Sequence, residues 1–382
     1  MSAPATVTPR PRRLPGRIGG PLRVFAWLSF LAEVLIIGTG GAVRLTGSGL
    51  GCPTWPRCTA DSIVPTPEMG IHGVIEFGNR TLTGLVGILA LAVVIGIIVR
   101  TGGRRALPPT LWFALGGILG AGAAVALGIA LDIPAGPLAN GILLVAVIAA
   151  AVRSVRTTPT RRDLVVLAWL VLIGVVAQAL VGGITVLTGL NPFIVGFHYV
   201  VSVGLVCITA AFLVRMNRPD LPRVSAVAPW LRWTARGAVA ALVVTIVFGI
   251  LTTGAGPHSG DPNAGRSGFD AELLEHIHAW PSYVLFALTV AFVIGAWRQR
   301  DRTPLLAGWS ITLLAAELVQ IAVGLFQARN GLPILAVGIH MVLAALTAAA
   351  MTAVVLHLSR PMSGHGDVDA RAAENDRADV HA

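Results

Sequence analysis

The sequence predicts an all-α polytopic membrane protein. It reads as two pseudo-symmetric four-helix bundles arranged as a parallel repeat, with an extra transmembrane hairpin in the first half. Three observations predict this. Of the 382 residues, 55% are hydrophobic and only 12% are charged, a balance foreign to soluble domains. The apolar residues fall into ten runs, most of them near the ~20 residues that a spanning helix needs. One stretch also occurs twice at a constant offset of 142 (340 − 198): Gln178, Gly182, Gly189, Leu190, Val195, Gly196 and His198 recur as Gln320, Gly324, Gly331, Leu332, Val337, Gly338 and His340. Shared Gly and Val carry little weight in so apolar a chain. A shared Gln and a shared His carry more, and suggest two similar metal or cofactor sites.

The elements follow in order. Residues 1–21 are rich in Pro and Arg and read as a disordered cytoplasmic N-terminus. The run at 22–43 is long enough to span and lacks a convincing cleavage site, so it is an uncleaved first helix rather than a signal peptide. Further runs cover 71–99, 110–131, 134–152, 163–187, 194–214, 237–253, 276–297, 305–328 and 333–357. Ten spans put both termini on one side. On that side fall Arg10 to Arg17, Arg100 to Arg105, Arg153 to Arg162, Arg215 to Arg223 and Arg298 to Arg302. The other side holds the Cys52–Cys58 loop, a short turn at Asp132, the 188–193 and 329–332 turns and the acidic 254–275 loop. This asymmetry assigns the Arg side as cytoplasmic in a cell membrane.

Thr46-Gly47-Ser48-Gly49 and Thr253-Gly254-Ala255-Gly256 each close the first helix of a half. The halves are therefore 22–216, which includes the hairpin at about 110–152, and 237–358. A cytoplasmic linker at 217–236 joins them, and a disordered cytoplasmic tail follows at 359–382. The formal charge of +10 does not indicate nucleic-acid binding. There is no Lys, and the Arg residues sit in short clusters between apolar runs, where they face lipid headgroups. Three cysteines are too few for a disulfide framework. Cys207 reads as a small hydrophobe. Cys52 and Cys58 share an outer loop, where a pair of thiols can close as a disulfide, either structural or redox-active.

His198 and His340 each begin a helix that follows a proline, and His72 and His278 lie just inside helices that follow the two long outer loops. Each half thus offers one His on its second core helix and one on its fourth. Imidazoles facing each other across a four-helix bundle can hold a haem iron from both sides. The alternative is four unrelated histidines in helix interfaces. Glu76 lies one turn after His72, with Asn79 and Arg80 following, so that His72, Glu76 and Arg80 share a stripe. Glu76 is either a carboxylate beside a bound cofactor or one half of an ion pair that neutralises Arg80. Glu33, Gln178, Glu317 and Gln320 read as interhelical hydrogen-bonding residues. His258, His357, His365 and His381 read as solvated, and His276 faces away from His278.

The run Gly-Gly-Ala-Val-Arg44-Leu-Thr-Gly-Ser-Gly-Leu-Gly-Cys52-Pro-Thr-Trp55-Pro, the run Gly183-Ile-Thr-Val-Leu-Thr-Gly-Leu-Asn191-Pro, the run Thr253-Gly-Ala-Gly-Pro-His-Ser-Gly-Asp261 and the His340 helix together resemble the haem A synthase family over roughly 23–100 and 163–358. The resemblance implies two four-helix membrane bundles and oxidation of the C8 methyl of haem O to a formyl group, giving haem A for cytochrome c oxidase. It implies a resident haem b held by His278 and His340, and substrate haem O in the N-terminal half with His198 as an axial ligand. It also implies Glu76 in catalysis, Arg80 and Arg44 in contact with haem or its propionates, and a Cys52–Cys58 pair tied to activity or stability. Haem O synthase and the cytochrome c oxidase assembly machinery are the partners it implies, alongside membrane lipid.

Two departures stand out. The His of the family's Glu-x-x-His-Arg motif is Asn79 here, a poor iron ligand. Counting from the Thr-Gly-x-Gly motifs aligns His72 with His278, whereas matching Glu76–Asn79 to Glu275–His278 aligns Asn79 with it. His72 is the favoured substitute. The hairpin at 110–152 is not part of the resemblance, and the 254–275 loop lacks the second cysteine pair that some members carry. A dihaem b-type electron-transfer protein is the alternative reading; it needs the histidines but neither Glu76 nor the cysteine loop. A transporter is a third, but its sites belong at mid-membrane on broken helices.

Overall fold

A computed structural model describes residues 19–131, 133 and 135–362. The expectations for 1–18, for the turn residue Asp132 and for the tail beyond 362 lie outside the described residues. Ten helices among them are long and apolar enough to cross a membrane, so the chain is a multi-pass membrane protein. They are α1 (Pro21–Leu45), α2 (Gly70–Gly102), α3 (Leu107–Leu131), α4 (Gly136–Thr157), α5 (Arg162–Leu187), α6 (Pro192–Met216), α7 (Pro229–Ala255), α8 (Ala271–Arg298), α9 (Pro304–Arg329) and α10 (Ile334–His357).

The helix starts follow local chemistry. Proline occupies the first turn of α1, α4, α6, α7 and α9, where its missing N–H costs nothing. Asn191 caps α6 by accepting from the Phe193 amide, and Asp270 caps α8 by accepting from Glu272 and Leu273. The segment expected to be linker up to 236 is helical from Pro229 onward. Proline pre-sets the first turn there, and Leu231 and Ala235 are buried one turn apart, which continues the apolar stripe of α7.

Helices α1, α2, α5 and α6 pack in that order, with α6 returning to α1; α7, α8, α9 and α10 follow the same order, with α10 returning to α7. The two sets meet along α6 and α10, along α1 and α10, and along α6 and α7. Small residues permit close approach, since Gly38 and Gly41 of α1 lie against Val342 and Met341 of α10. The repeat is visible in local geometry. Both outer turns place a Gly-Leu pair at positive φ, Gly189–Leu190 and Gly331–Leu332. A β-carbon is strained at that φ, yet Leu appears both times. In each turn the Leu amide reaches back five residues, to Thr185 and Gln327, and closes the helix end.

The two ends of the molecule are tied differently. At the Arg-rich end, β1 (Arg223–Ser225) pairs antiparallel with β2 (Ser359–Pro361), and Arg218 donates to the Leu356 carbonyl at 2.7 Å. Burial and the neighbouring Arg223 and Arg215 push the Arg218 guanidinium down to about 10. At the other end, the Gly49 amide donates to Gly260 O, and Arg44 donates to the carbonyls of His258 (2.8 Å) and Thr253 (2.9 Å). His357, expected to be solvated, is buried: its Nδ1 lies 2.6 Å from Ala353 O and its ring lies beside Trp309.

The α3–α4 hairpin stands apart from this frame. Helix α3 packs chiefly on α4, and α4 alone carries the pair onto α5. Trp112, Ile118 and Leu119 of α3 are exposed, as lipid-facing side chains are. A Cβ on Gly117 would fall 2.6 Å from Ala146 Cβ, so the contact depends on glycine. Gly117→Leu is expected to force the hairpin apart at a cost of about 2 kcal/mol, measured as a lower midpoint of thermal unfolding in detergent.

Candidate functional site

A cavity of about 500 Å³ runs between the two helix sets toward the end that carries the cysteine loop. His198 on α6, His278 on α8, His340 on α10 and Asn79 on α2 line it. Each of these side chains lies over a glycine of a neighbouring helix. A Cβ on Gly324 would fall 3.0 Å from His340 Cε1, one on Gly249 2.8 Å from His278 Cε1, and one on Gly182 3.5 Å from His198 Cε1. Gly40 stands 3.9 Å from Asn79 Nδ2 by the same measure. Gly182 and Gly324 are visible in advance as members of the repeat, and Gly40 opens the run that leads through Arg44 and beyond. Gly249 was missed, because a glycine in a glycine-rich chain carries no signal until its neighbour is known.

The repeated glutamines brace the histidine helices. Gln178 Nε2 donates to His198 O at 2.6 Å and to Ser202 Oγ at 2.7 Å, and Gln320 Nε2 donates to His340 O at 3.1 Å. The expectation of interhelical hydrogen bonding holds for both. The His278 and His340 rings lie edge to face, their planes at 79° and their centroids 6.4 Å apart. Two imidazoles bound to one metal from opposite sides, each at about 2 Å, have centres about 6 Å apart. His278 Nδ1 lies 2.9 Å from Thr245 O, and a carbonyl only accepts, so Nδ1 carries the proton and Nε2 is left free as a donor atom. The Nδ1 atoms of His198 and His340 are buried without a hydrogen-bond partner, a cost of about 1–3 kcal/mol each unless something completes them. No cluster of three or more His, Cys, Asp or Glu able to hold a bare metal ion occurs among the described residues. The free Nε2 of His278 and the unpartnered His198 and His340 fit a metalloporphyrin, which His278 and His340 would hold.

His72 is not brought to this cavity. It sits in the first turn of α2, exposed, with Nδ1 2.8 Å from Ser48 Oγ. It shares a face with Asn79 but stands seven residues nearer the helix start, about 10 Å along the axis. Asn79 accepts a bond from Thr39 Oγ1 at 2.8 Å and holds the cavity-facing slot over glycine that His278 holds in the other helix set. His258, expected to be solvated, is half-buried and lines the cavity, with Nε2 3.0 Å from Leu332 O.

Glu76 and Arg80 form a clamp under the outer loop. Glu76 is 5% exposed; its Oε2 accepts from the Cys52 amide and its Oε1 from Arg80. Arg80 also donates to the carbonyls of Cys52 (2.9 Å), Thr54 (3.0 Å) and Arg57 (3.3 Å). Cys52 and Cys58 are disulfide-bonded and both fully buried. The loop carries Trp55 against α5, where a Cβ on Gly183 would fall 2.4 Å from Trp55 Cδ2. Glu76, Arg80, Trp55 and Arg44 all line the cavity, but the donors of Arg80 and two of those of Arg44 are committed to the protein.

These features define a class: a polytopic membrane protein with histidines arrayed on glycine seats around an intramembrane cavity. The family model COX15-CtaA, cytochrome oxidase assembly protein, matches residues 23–131 and 138–260. The chain belongs to that family. The matched residues take in most of the α3–α4 hairpin, which the motif resemblance left out. Heme A synthase of Halalkalibacterium halodurans is 32% identical over 110 residues, covering 27% of this chain and 36% of that protein. Heme A synthase of Shouchella clausii is 36% identical over 109 residues, 26% and 34% of the two chains. Protoheme IX farnesyltransferase of Thermus thermophilus is 39% identical over 69 residues, 18% of this chain and 11% of that protein. The matches to these heme A synthases span about a third of their length.

The clamp generates a prediction. Arg80→Ala leaves Glu76 buried without its counter-charge and three loop carbonyls without their donor. The expected loss is about 3 kcal/mol of stability, accompanied by faster reduction of Cys52–Cys58 by added thiol.

Proposed function

We propose that this protein oxidises the C8 methyl of haem O to a formyl group, giving haem A for a cytochrome c oxidase. The observation that carries the reading is the cavity in which three imidazoles on glycine seats and the buried Glu76 meet. Family membership and the matches to heme A synthases support it. In this reading α1–α6 take the substrate and α7–α10 hold a resident haem b between His278 and His340. When bound, that haem supplies a one-electron redox centre. The Arg-rich end and both termini lie in the cytoplasm of a cell-membrane protein, and haem O synthase and oxidase assembly factors are the partners.

The chain's own residues have distinct tasks. His198 is the imidazole of α1–α6 that lines the cavity, so it orients the substrate, and Asn79, which also lines it, holds the slot where the motif's histidine belongs. Glu76 accepts a proton released as the methyl is oxidised. Its bonds to Arg80 and to the Cys52 amide hold the carboxyl group in place. Trp55, seated on Gly183, roofs that side of the cavity and keeps bulk water from it. Arg44, already fixed to the carbonyls of His258 and Thr253, has further N–H donors for an anionic edge of the substrate.

Expression with a haem O source in a host lacking haem A, followed by extraction and chromatography of the haems, tests the reading. Haem A is the expected product; haem B with unchanged haem O would exclude it. Glu76→Gln is expected to retain bound haem and lower conversion at least 100-fold. Conversion at the wild-type rate would make the carboxylate purely structural. His198→Ala is expected to abolish haem O binding, whereas His72→Ala leaves it within about twofold, judged by absorbance titration; the reverse order would return the ligand role to His72.

A further inference from the structure

Glu317 plays no part in the chemistry above. It lies on α9 and is 3% exposed in the middle of a membrane helix. Its Oε1 accepts from Thr289 Oγ1 of α8 at 2.8 Å, and its Oε2 is buried with no partner. The side chain lines the cavity. No ion pair among the described residues involves it. An intramembrane carboxyl without a counter-charge is costly, and such groups mark proton or ion routes.

The surroundings support a route. Gln320 and Gln327 stand three and ten residues further along α9, on the same stripe, and also line the cavity. Their Oε1 atoms are buried and unpartnered, as is Thr347 Oγ1 of α10. Two amide oxygens and a carboxylate oxygen cannot satisfy one another, since all three accept. A line of acceptors in a roomy cavity is completed by donors, and water is the donor that fits. The stripe spans about 15 Å from Glu317 to Gln327, toward the cysteine-loop end. Helices α8 and α10 pack against α9. Facing the cavity from them are the titratable groups His278 and His340, and from α1 across the cavity Glu33, which is 2% exposed with Oε1 unpartnered. His340 rests on Gly324, seven residues beyond Glu317, which puts the carboxyl about 10 Å along the helix from the imidazole pair. Across that distance in a low-dielectric interior one charge still acts on another.

We infer that Glu317 is a redox-linked proton-exchange group for the iron held by His278 and His340. When that iron gains one electron from an external one-electron reductant, Glu317 takes one proton from the hydrated stripe and its carboxylate becomes a carboxylic acid. Were that iron to pass the electron on to an external one-electron oxidant, the proton would leave Glu317 by the same stripe. Charge is conserved in each direction: one electron in, one proton in. This rests on the proposed resident haem.

The test is a spectroelectrochemical titration of the haem-loaded full chain between pH 5 and 9. The wild-type midpoint potential is expected to fall with rising pH, approaching about 59 mV per unit, the one-electron value of a tenfold change. Glu317→Gln should abolish most of that slope with the low-spin haem spectrum unchanged. Glu317→Asp should keep the slope, and Glu33→Gln should keep it too. A flat wild-type line, a slope that survives Glu317→Gln, or loss of the slope on Glu33→Gln alone would each overturn the inference while leaving the resident haem in place. A purified chain that retains no haem would overturn both.

Discussion

The architecture depends on room for imidazoles. A histidine side chain held between two packed helices needs the opposite helix to give way, and glycine is the residue that does so without a kink. Gly182, Gly249 and Gly324 meet His198, His278 and His340, and a methyl at Gly249 would already fall 2.8 Å from the ring of His278. Each seat lies on the helix just before the histidine's own in chain order. The hydrogen bonds from Gln178 and Gln320 to the histidine carbonyls then fix the height of the rings. The cavity follows from this arrangement, because rings set against glycines leave the space between the helix sets unfilled.

The outer loop is the second constraint. The Cys52–Cys58 loop has little regular structure of its own, and its carbonyls need donors. Arg80 supplies them from below, and Glu76 both anchors Arg80 and accepts from the Cys52 amide. Buried charge is thus balanced within one helical turn and spent on holding a loop that roofs the cavity. Catalytic and structural readings of Glu76 are therefore not exclusive: the bonds that hold the roof also orient the carboxylate.

Much of this was legible in the sequence. The ten apolar runs became ten helices with ends shifted by no more than five residues, apart from α7, which starts eight residues early at Pro229, because hydropathy and proline placement both act locally. The 142-residue repeat carried through to bonds, with Gln178 and Gln320 in matching roles. The misses have physical causes. His72 shares a helical stripe with Asn79, and a stripe records direction but not depth, so its position above the cavity was hidden. His258 and His357 lie in polar or terminal segments, and only tertiary packing buries them. The partners of Arg80 are backbone carbonyls, which no sequence pattern announces.

One contact has a wider meaning. Tyr199 donates through its hydroxyl to Met341 O at 2.7 Å. Residues 199 and 341 occupy matching positions of the repeat, each directly after a histidine. Matching positions touch only where a two-fold relation would place its axis, so this bond marks the seam about which the halves are turned. A tyrosine on one side and a methionine on the other gives the seam a direction. The helix that carries His198 is thereby fastened to the helix that carries His340.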